Sequence, residues 1–161
     1  MSSRNPGSND DRRRTLRRRL YAAAAIVALL GLADGIYLTV EHVTGRTAEC
    51  VASSGCQEVL SSQYAVVGRI PLAAIGAFAY FTAFSAALLA AFGYPKCGGF
   101  FAVVVTAMFA TTLRLLYIMA FVLHAFCDYC LFSATVTTTL VIIAITNAFL
   151  REPGPPVRSE Q

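Results

Sequence analysis

Four apolar stretches dominate the chain, at positions 20–40, 70–92, 99–122 and 128–150. Each is close to the roughly 20 residues that a helix needs to cross the hydrocarbon core of a bilayer. The first is interrupted only by Asp34, and the third holds Arg114. The apolar positions run on without the strict alternation of a membrane barrel, so each stretch satisfies its own backbone in lipid only as a helix. Pro71 falls near the start of the second span, where a missing N–H costs least. Gly76 and Ala77 behind it are small enough to let that helix approach a neighbour closely. Polar stretches separate the spans: a 29-residue connection at 41–69 and short turns at 93–98 and 124–127. Within the long connection, 56–64 reads as a short interfacial helix with Val59, Leu60 and Tyr64 turned to the membrane. The pattern predicts an all-α fold, a polytopic four-helix membrane bundle over 20–150 whose outer loop carries that short helix. Residues 1–19, with seven arginines, read as a disordered basic tail, and 151–161, with three prolines, as a second tail. No room for a further domain is expected.

Composition sharpens this picture. Hydrophobic residues make up 57% and charged residues 14%, against about 25% charged in an ordinary soluble domain. Only Lys96, Arg114 and Asp128 carry charge between positions 71 and 150. Such a stretch cannot clothe a water-soluble enzyme, a secreted disulfide knot or a disordered chain. The net charge of +4 resides in the tails, so it bears on orientation and not on nucleic acid. Ten basic residues lie on the side of the two tails and the 93–98 turn, and two, Arg46 and Arg69, on the other. The positive-inside rule therefore expects both termini in the cytoplasm of a cell (inner) membrane, with 41–69 and 124–127 facing outward. An arginine-rich run before an apolar segment also fits a signal peptide. This apolar run is long for one, and Glu49 occupies the place of a small cleavage-site residue, so the segment is expected to stay.

Five cysteines carry the candidate chemistry: Cys50, Cys56, Cys97, Cys127 and Cys130. In this topology four of them face outward, where paired thiols form stable disulfides, and Cys97 sits alone by the inner turn. Cys127 and Cys130 form a C-x-x-C at the outer mouth of the fourth helix. The spacing places both sulfurs one turn apart on one face, at a helix N-terminus whose dipole favours a thiolate. A thiolate is the attacking species in disulfide exchange. Cys50 and Cys56 are separated by Val-Ala-Ser-Ser-Gly, a loop flexible enough to close or open a bridge. The short helix that starts at Cys56 is placed to lie over the bundle as a lid and bring Cys56 towards Cys127. Two blander readings stand beside this one. All four outer cysteines could hold zinc, or the bridges could be purely structural, although a bridge across one helical turn constrains little chain. Either would make this a non-catalytic membrane protein. The redox reading expects no metal.

Asp34 and Arg114 both fall roughly 10–12 Å below the outer surface, at ~1.5 Å per residue. Unpaired charge at that depth is expensive, so the two are expected to face the interior and pair. His124, three residues before Cys127, is placed to lower that thiol's pKa or to pass protons. His42 reads as a surface residue, and Asp128 as a cap for the fourth helix.

The strings Cys50-x5-Cys56, Cys56-Gln-Glu-Val-Leu-Ser-Ser62, Ile70-Pro71-Leu72 and Cys127-Asp-Tyr-Cys130 resemble the vitamin K epoxide reductase family, in particular its bacterial quinone-coupled branch. Ala33-Asp34-Gly35-Ile36-Tyr37-Leu38 and Leu123-His124-Ala125-Phe126 are similar to bacterial members as well. The resemblance implies a bundle around a quinone of the ubiquinone or menaquinone (vitamin K) type. By it, Cys130 is the thiol nearest the quinone, Cys127 exchanges with Cys56, and Cys50 meets a thioredoxin-fold partner. Ser62 would line or support the pocket mouth. Many bacterial relatives carry that partner as a fused domain, so a chain ending at Gln161 is expected to use a separate one. Animal members place Asn and Tyr at the positions of Leu72 and Ala134, so plain quinone reduction, in support of disulfide formation, is implied here over epoxide reduction. An unrelated four-helix disulfide oxidase also feeds quinone, but carries its C-x-x-C in the first outer loop.

Overall fold

The computed structural model describes residues 6–45, 56–62, 65–68 and 70–150. Its elements in chain order are α1 (Pro6–Thr44), α2 (Cys56–Ser61), β1 (Val66–Val67), β2 (Ile70–Pro71), α3 (Leu72–Ala91), α4 (Pro95–Ile118), a π-helical turn (Met119–Leu123) and α5 (Asp128–Phe149). Among the described residues four helices are long and apolar enough to cross a membrane, and they form the all-α polytopic bundle that the hydropathy pattern predicts.

Two boundaries differ from expectation. Helix α1 begins at Pro6, so most of the stretch read as a disordered tail is helical. Arginine and leucine are good helix formers and neither proline nor glycine occurs between 8 and 19, so the span's own nucleus propagates backward. The interfacial helix stops at Ser61. Tyr64 lies outside the described residues, and a small hairpin follows that the pattern did not foretell. Val66 pairs with Pro71 and Val67 with Ile70 in antiparallel register, and Gly68 takes the left-handed conformation (φ 68°) between them. Two-residue strands leave too little alternation to detect.

Local chemistry explains the inner turn. The N–H of Tyr94 donates to Leu89 O at 3.2 Å, and that of Gly93 to Ala90 O at 3.1 Å. With Gly93 at φ 102°, this is a Schellman close to α3, and Pro95 then opens α4.

Packing divides the bundle into two halves. Between α1 residues 21–28, α3 residues 80–87, the start of α4 and the middle of α5 lies a dense core, in which Ala24, Ala28, Ala83, Ala87, Phe101, Val105 and Leu140 are wholly buried. Alanine dominates because lipid tails are as apolar as leucine, so membrane helices gain by close backbone approach. Gly31 and Gly35, one turn apart, continue this seam. A methyl at Gly35 would meet the Ala77 backbone at 3.1 Å, and one at Gly31 would overlap the Tyr80 ring, with Cζ at 2.6 Å. Ala77 thus packs as expected. Gly76 does not, since a methyl there would meet nothing within 4 Å. Beyond this seam, towards α2, the helices part.

Candidate functional site

The parting leaves a cavity of about 420 Å³ between the four spans, roofed by α2. Its wall is mostly apolar, including Leu38, Leu72, Gly76, Met108 and Met119. This volume falls in the range of small-molecule and cofactor sites. The polar side chains on its wall include Asp34, Ser62, Tyr80, Ser133, Thr137 and the Cys130 thiol, with His42 also on the lining.

The cysteines meet at the α2 end. Cys56, Met119 and Cys127 form one buried cluster, 1%, 2% and 0% exposed, and Val59, Leu60, Tyr129 and Cys130 pack against it. Val59 and Leu60 therefore cover the thiols and the cavity rather than facing lipid. Cys56 is disulfide-bonded, to a partner outside the described residues. Cys127 and Cys130 are free thiols. Cys50 lies outside the described residues. Cys97 is a free thiol at the start of α4, by the 93–98 turn. Among the described residues there is no group of three or more potential metal-ligating side chains.

The backbone presents the two thiols differently. After α4 the chain widens into the π turn Met119–Leu123 and reverses at His124, which sits in the left-handed region at φ 50°. The N–H of Ala125 closes the turn on Met119 O at 3.3 Å. Cys127, extended at φ −111° and ψ 122°, then takes the N-cap position of α5, and its carbonyl accepts the first helical N–H, from Leu131, at 3.0 Å. Asp128, expected as the cap, is instead the first helical residue. Cys130 stands one turn along and turns to the cavity. The Cys130 thiol donates to the Cys127 sulfur, and the backbone N–H groups of Cys130 and Tyr129 also favour its anion, without closing a conventional capping bond. These donors draw Cys127 from the ordinary 9.0 down to about 7, against burial and the Asp128 carboxylate. The arrangement holds a thiolate at a helix N-terminus.

Other anticipated residues divide. Ser62 and Leu72 line the cavity. The Ser62 hydroxyl donates to Val59 O at 2.7 Å, closing the end of α2. Ala134 is buried and is not on the cavity wall. His124 is exposed and off the cavity wall, because the left-handed reversal turns it outward. His42, read as a surface residue, is exposed and also lines the cavity, on the same stripe of α1 as Asp34 and Leu38. The expected Asp34–Arg114 ion pair is not formed among the described residues. Asp34 is half-buried on the cavity wall, whereas Arg114 is exposed and absent from it. The cavity stripe of α4 runs through Met108, Thr112 and Leu115, and Arg114 lies about 100° round the helix from Leu115.

Tyr80 carries no signal in the sequence, yet ties the cavity floor together. Its hydroxyl donates to Ser133 O at 3.0 Å and lies 2.8 Å from Ser133 Oγ and 2.7 Å from Thr137 Oγ1. Thr137 Oγ1 donates to Ser133 O at 2.9 Å. Apart from the oversized ring on a span of small residues, nothing local marks it.

A polytopic membrane bundle that holds a C-x-x-C dithiol between a buried third cysteine and an apolar cavity defines a class of membrane thiol protein. The chain belongs to the vitamin K epoxide reductase family, whose model matches residues 22–145. Thiol-disulfide oxidoreductase LTO1 of Arabidopsis thaliana is 39% identical over 128 residues, covering 74% of this chain. The match spans 34% of that relative's length.

Proposed function

We propose that this protein is a membrane thiol–disulfide oxidoreductase that carries electrons from a thioredoxin-fold thiol donor, through Cys50/Cys56 and then Cys127/Cys130, to a membrane quinone. On this reading both termini are cytoplasmic and the cysteine pairs lie on the outer face. The observation that carries it is the burial of Cys56 and Cys127 in one cluster, with Cys130 on the wall of the adjoining cavity.

Each step is an exchange between sulfurs. The donor's two thiols reduce the outer disulfide, giving it two electrons and two protons. The Cys56 thiolate attacks Cys127 in the inner bridge; a Cys56–Cys127 bond forms, the Cys127–Cys130 bond breaks, and Cys130 leaves as a thiolate. The second outer thiol then displaces Cys127 from Cys56, which restores the outer disulfide and leaves an inner dithiol. Closing the inner bridge again releases two electrons and the proton of Cys130, Cys127 having already given its own to water as a thiolate. A quinone, when bound, supplies a two-electron, two-proton acceptor. The apolar cavity suits its ring, with Leu72, Gly76 and Met108 as walls and Ser133 beside Cys130 as polar contact.

The test is trapping and turnover in purified protein. Removing Cys50 and Cys130 together should, on addition of oxidised glutathione as the two-electron acceptor, accumulate a Cys56–Cys127 bridge, identified by non-reducing peptide mapping. Quinone consumption should stop in Cys127→Ala and Cys130→Ala and continue in Cys97→Ala. Loss of Cys50 or Cys56 should block the protein donor while sparing a small dithiol. Absence of the trapped bridge, or turnover without Cys130, would refute the route.

A further inference from the structure

We propose that Asp34 is the proton-transfer group of the cavity: its carboxylate takes the Cys130 thiol proton as the inner bridge closes, and hands protons to the oxygen being reduced. This rests on the quinone-reducing function proposed above and assigns a residue that the cysteine route leaves unused.

Position is the first ground. Asp34 is half-buried on the cavity wall and lies within electrostatic reach of Cys130, Tyr80 and Tyr129. The second ground is isolation. Among the described residues it has no ion-pair or hydrogen-bond partner, and the arginine that could have neutralised it points away. An intramembrane carboxylate kept without a partner costs stability, so a structural staple does not account for it. The third ground is elimination around the cavity. From α3 the titratable group is Tyr80, whose hydroxyl is engaged with Ser133 and Thr137. Among the described residues, α5 adds Tyr129 and Cys130, α1 adds His42, and α4, α2 and the hairpin add none on the wall. His42 stands eight residues from Asp34 on the same helix, or about 12 Å at 1.5 Å per residue, where it meets water at the cavity mouth.

The proton count gives this carboxylate a task. With Cys127 as thiolate and Cys130 as thiol, closing the S–S bond releases two electrons and one proton. The acceptor needs two electrons and two protons. One proton is Cys130's own, passed through Asp34; the other enters from water at the mouth, past His42, and reprotonates the same carboxyl for a second delivery. A positioned acid–base group of this kind contributes roughly 10²–10⁴-fold in rate.

The experiment uses the full chain in nanodiscs with a short-tailed quinone analogue. Asp34→Asn should slow quinone reduction roughly 10²–10⁴-fold and flatten its pH profile, while dithiothreitol still reduces the Cys127–Cys130 bridge at the wild-type rate. Asp34→Glu should recover part of the loss. Independently of turnover, infrared difference spectra of quinone-free protein should show a protonated-carboxyl band whose amplitude changes between the dithiol and disulfide states and which is missing in Asp34→Asn. Should Asp34→Asn misfold, the wild-type spectrum decides alone. Absence of a redox-linked carboxyl band, or full-rate quinone reduction by Asp34→Asn with an unchanged pH profile, overturns the Asp34 proposal and leaves the cysteine route standing. A wild-type protein that reduces no quinone takes both down.

Discussion

Gly31→Ala tests how the two halves of the bundle are joined. The added methyl would lie 2.6 Å from Tyr80 Cζ and 2.7 Å from Cδ1, well inside van der Waals contact. The ring cannot swing aside cheaply, because Tyr80 is 3% exposed and its hydroxyl is held by Ser133 and Thr137. Overpacking a tight core costs about 1–3 kcal/mol. Displacing the ring also disturbs hydrogen bonds worth about 0.5–1.5 kcal/mol each. A loss of about 2–4 kcal/mol follows, a large fraction of a marginal stability. By contrast, Gly76→Ala points a methyl into open space and should stay within about 0.5 kcal/mol.

The assay is reversible unfolding in mixed micelles, followed by circular dichroism, as a double-mutant cycle with Tyr80→Ala. Truncating the ring alone costs about 3–5 kcal/mol, but it also removes the obstacle. Gly31→Ala in the Tyr80→Ala background should then cost little, giving a coupling energy close to the whole single-mutant loss. If Gly31→Ala costs as much without the ring as with it, the overlap is not the cause and this account of the seam is wrong.

Alkylation of Cys127 in quinone-free, reduced protein should rise through a midpoint near pH 7. Below that midpoint the sulfur is protonated and unreactive, and replacing Cys130 by alanine should shift the midpoint upward by removing the thiol donor, read by mass spectrometry of the labelled peptide. Tyr80→Phe keeps the ring but takes away the hydroxyl partner of Ser133 Oγ and one of the two partners of Thr137 Oγ1, so it should cost about 1–2 kcal/mol in the same unfolding assay. Gly93→Ala, at φ 102°, should lose about 1 kcal/mol without affecting Cys127 alkylation, since the turn lies at the opposite end of the bundle.

Depth in the membrane could be read from the sequence, and azimuth could not. The rise per residue places Asp34 and Arg114 at one level, and hydropathy places Cys56, Cys127 and Cys130 at one rim, where the structure gathers them. A helix that faces water on one side declares its buried face by an apolar stripe. These spans are apolar all round, so nothing in the pattern says that Arg114 points outward while Thr112 and Leu115 face the cavity. The same blindness hides Tyr80, whose partners lie more than 50 positions away. Gly31 and Gly35 carry the small-residue spacing of a close helix seam, but a small residue stands at Gly76 too, where there is nothing within 4 Å to approach, so small residues alone do not tell a seam from a cavity wall. The π turn and the reversal at His124 depend on how α4 must end to deliver Cys127 to the cap of α5, a demand set by the tertiary structure.

The asymmetry of the two inner thiols bears on direction. Cys127 is fully buried, with Cys56 in the same cluster, whereas Cys130 turns to the cavity. On the proposed function, an outer thiol meets Cys127 inside that cluster and a cavity ligand meets Cys130, so electrons pass through the inner pair in that order. The low pKa of Cys127 serves the same order. Thiolates of lower pKa leave more readily, so Cys127 is well suited to be displaced from the mixed disulfide once Cys130 has been freed to face the cavity. Truncating the Met119 side chain, which packs against Cys127 in the buried cluster, should loosen the cover and expose that thiol to small reagents. A Met119→Ala protein in which Cys127 labelling stays as slow as in wild type would show that the cover over this sulfur does not depend on the side chain at the π turn.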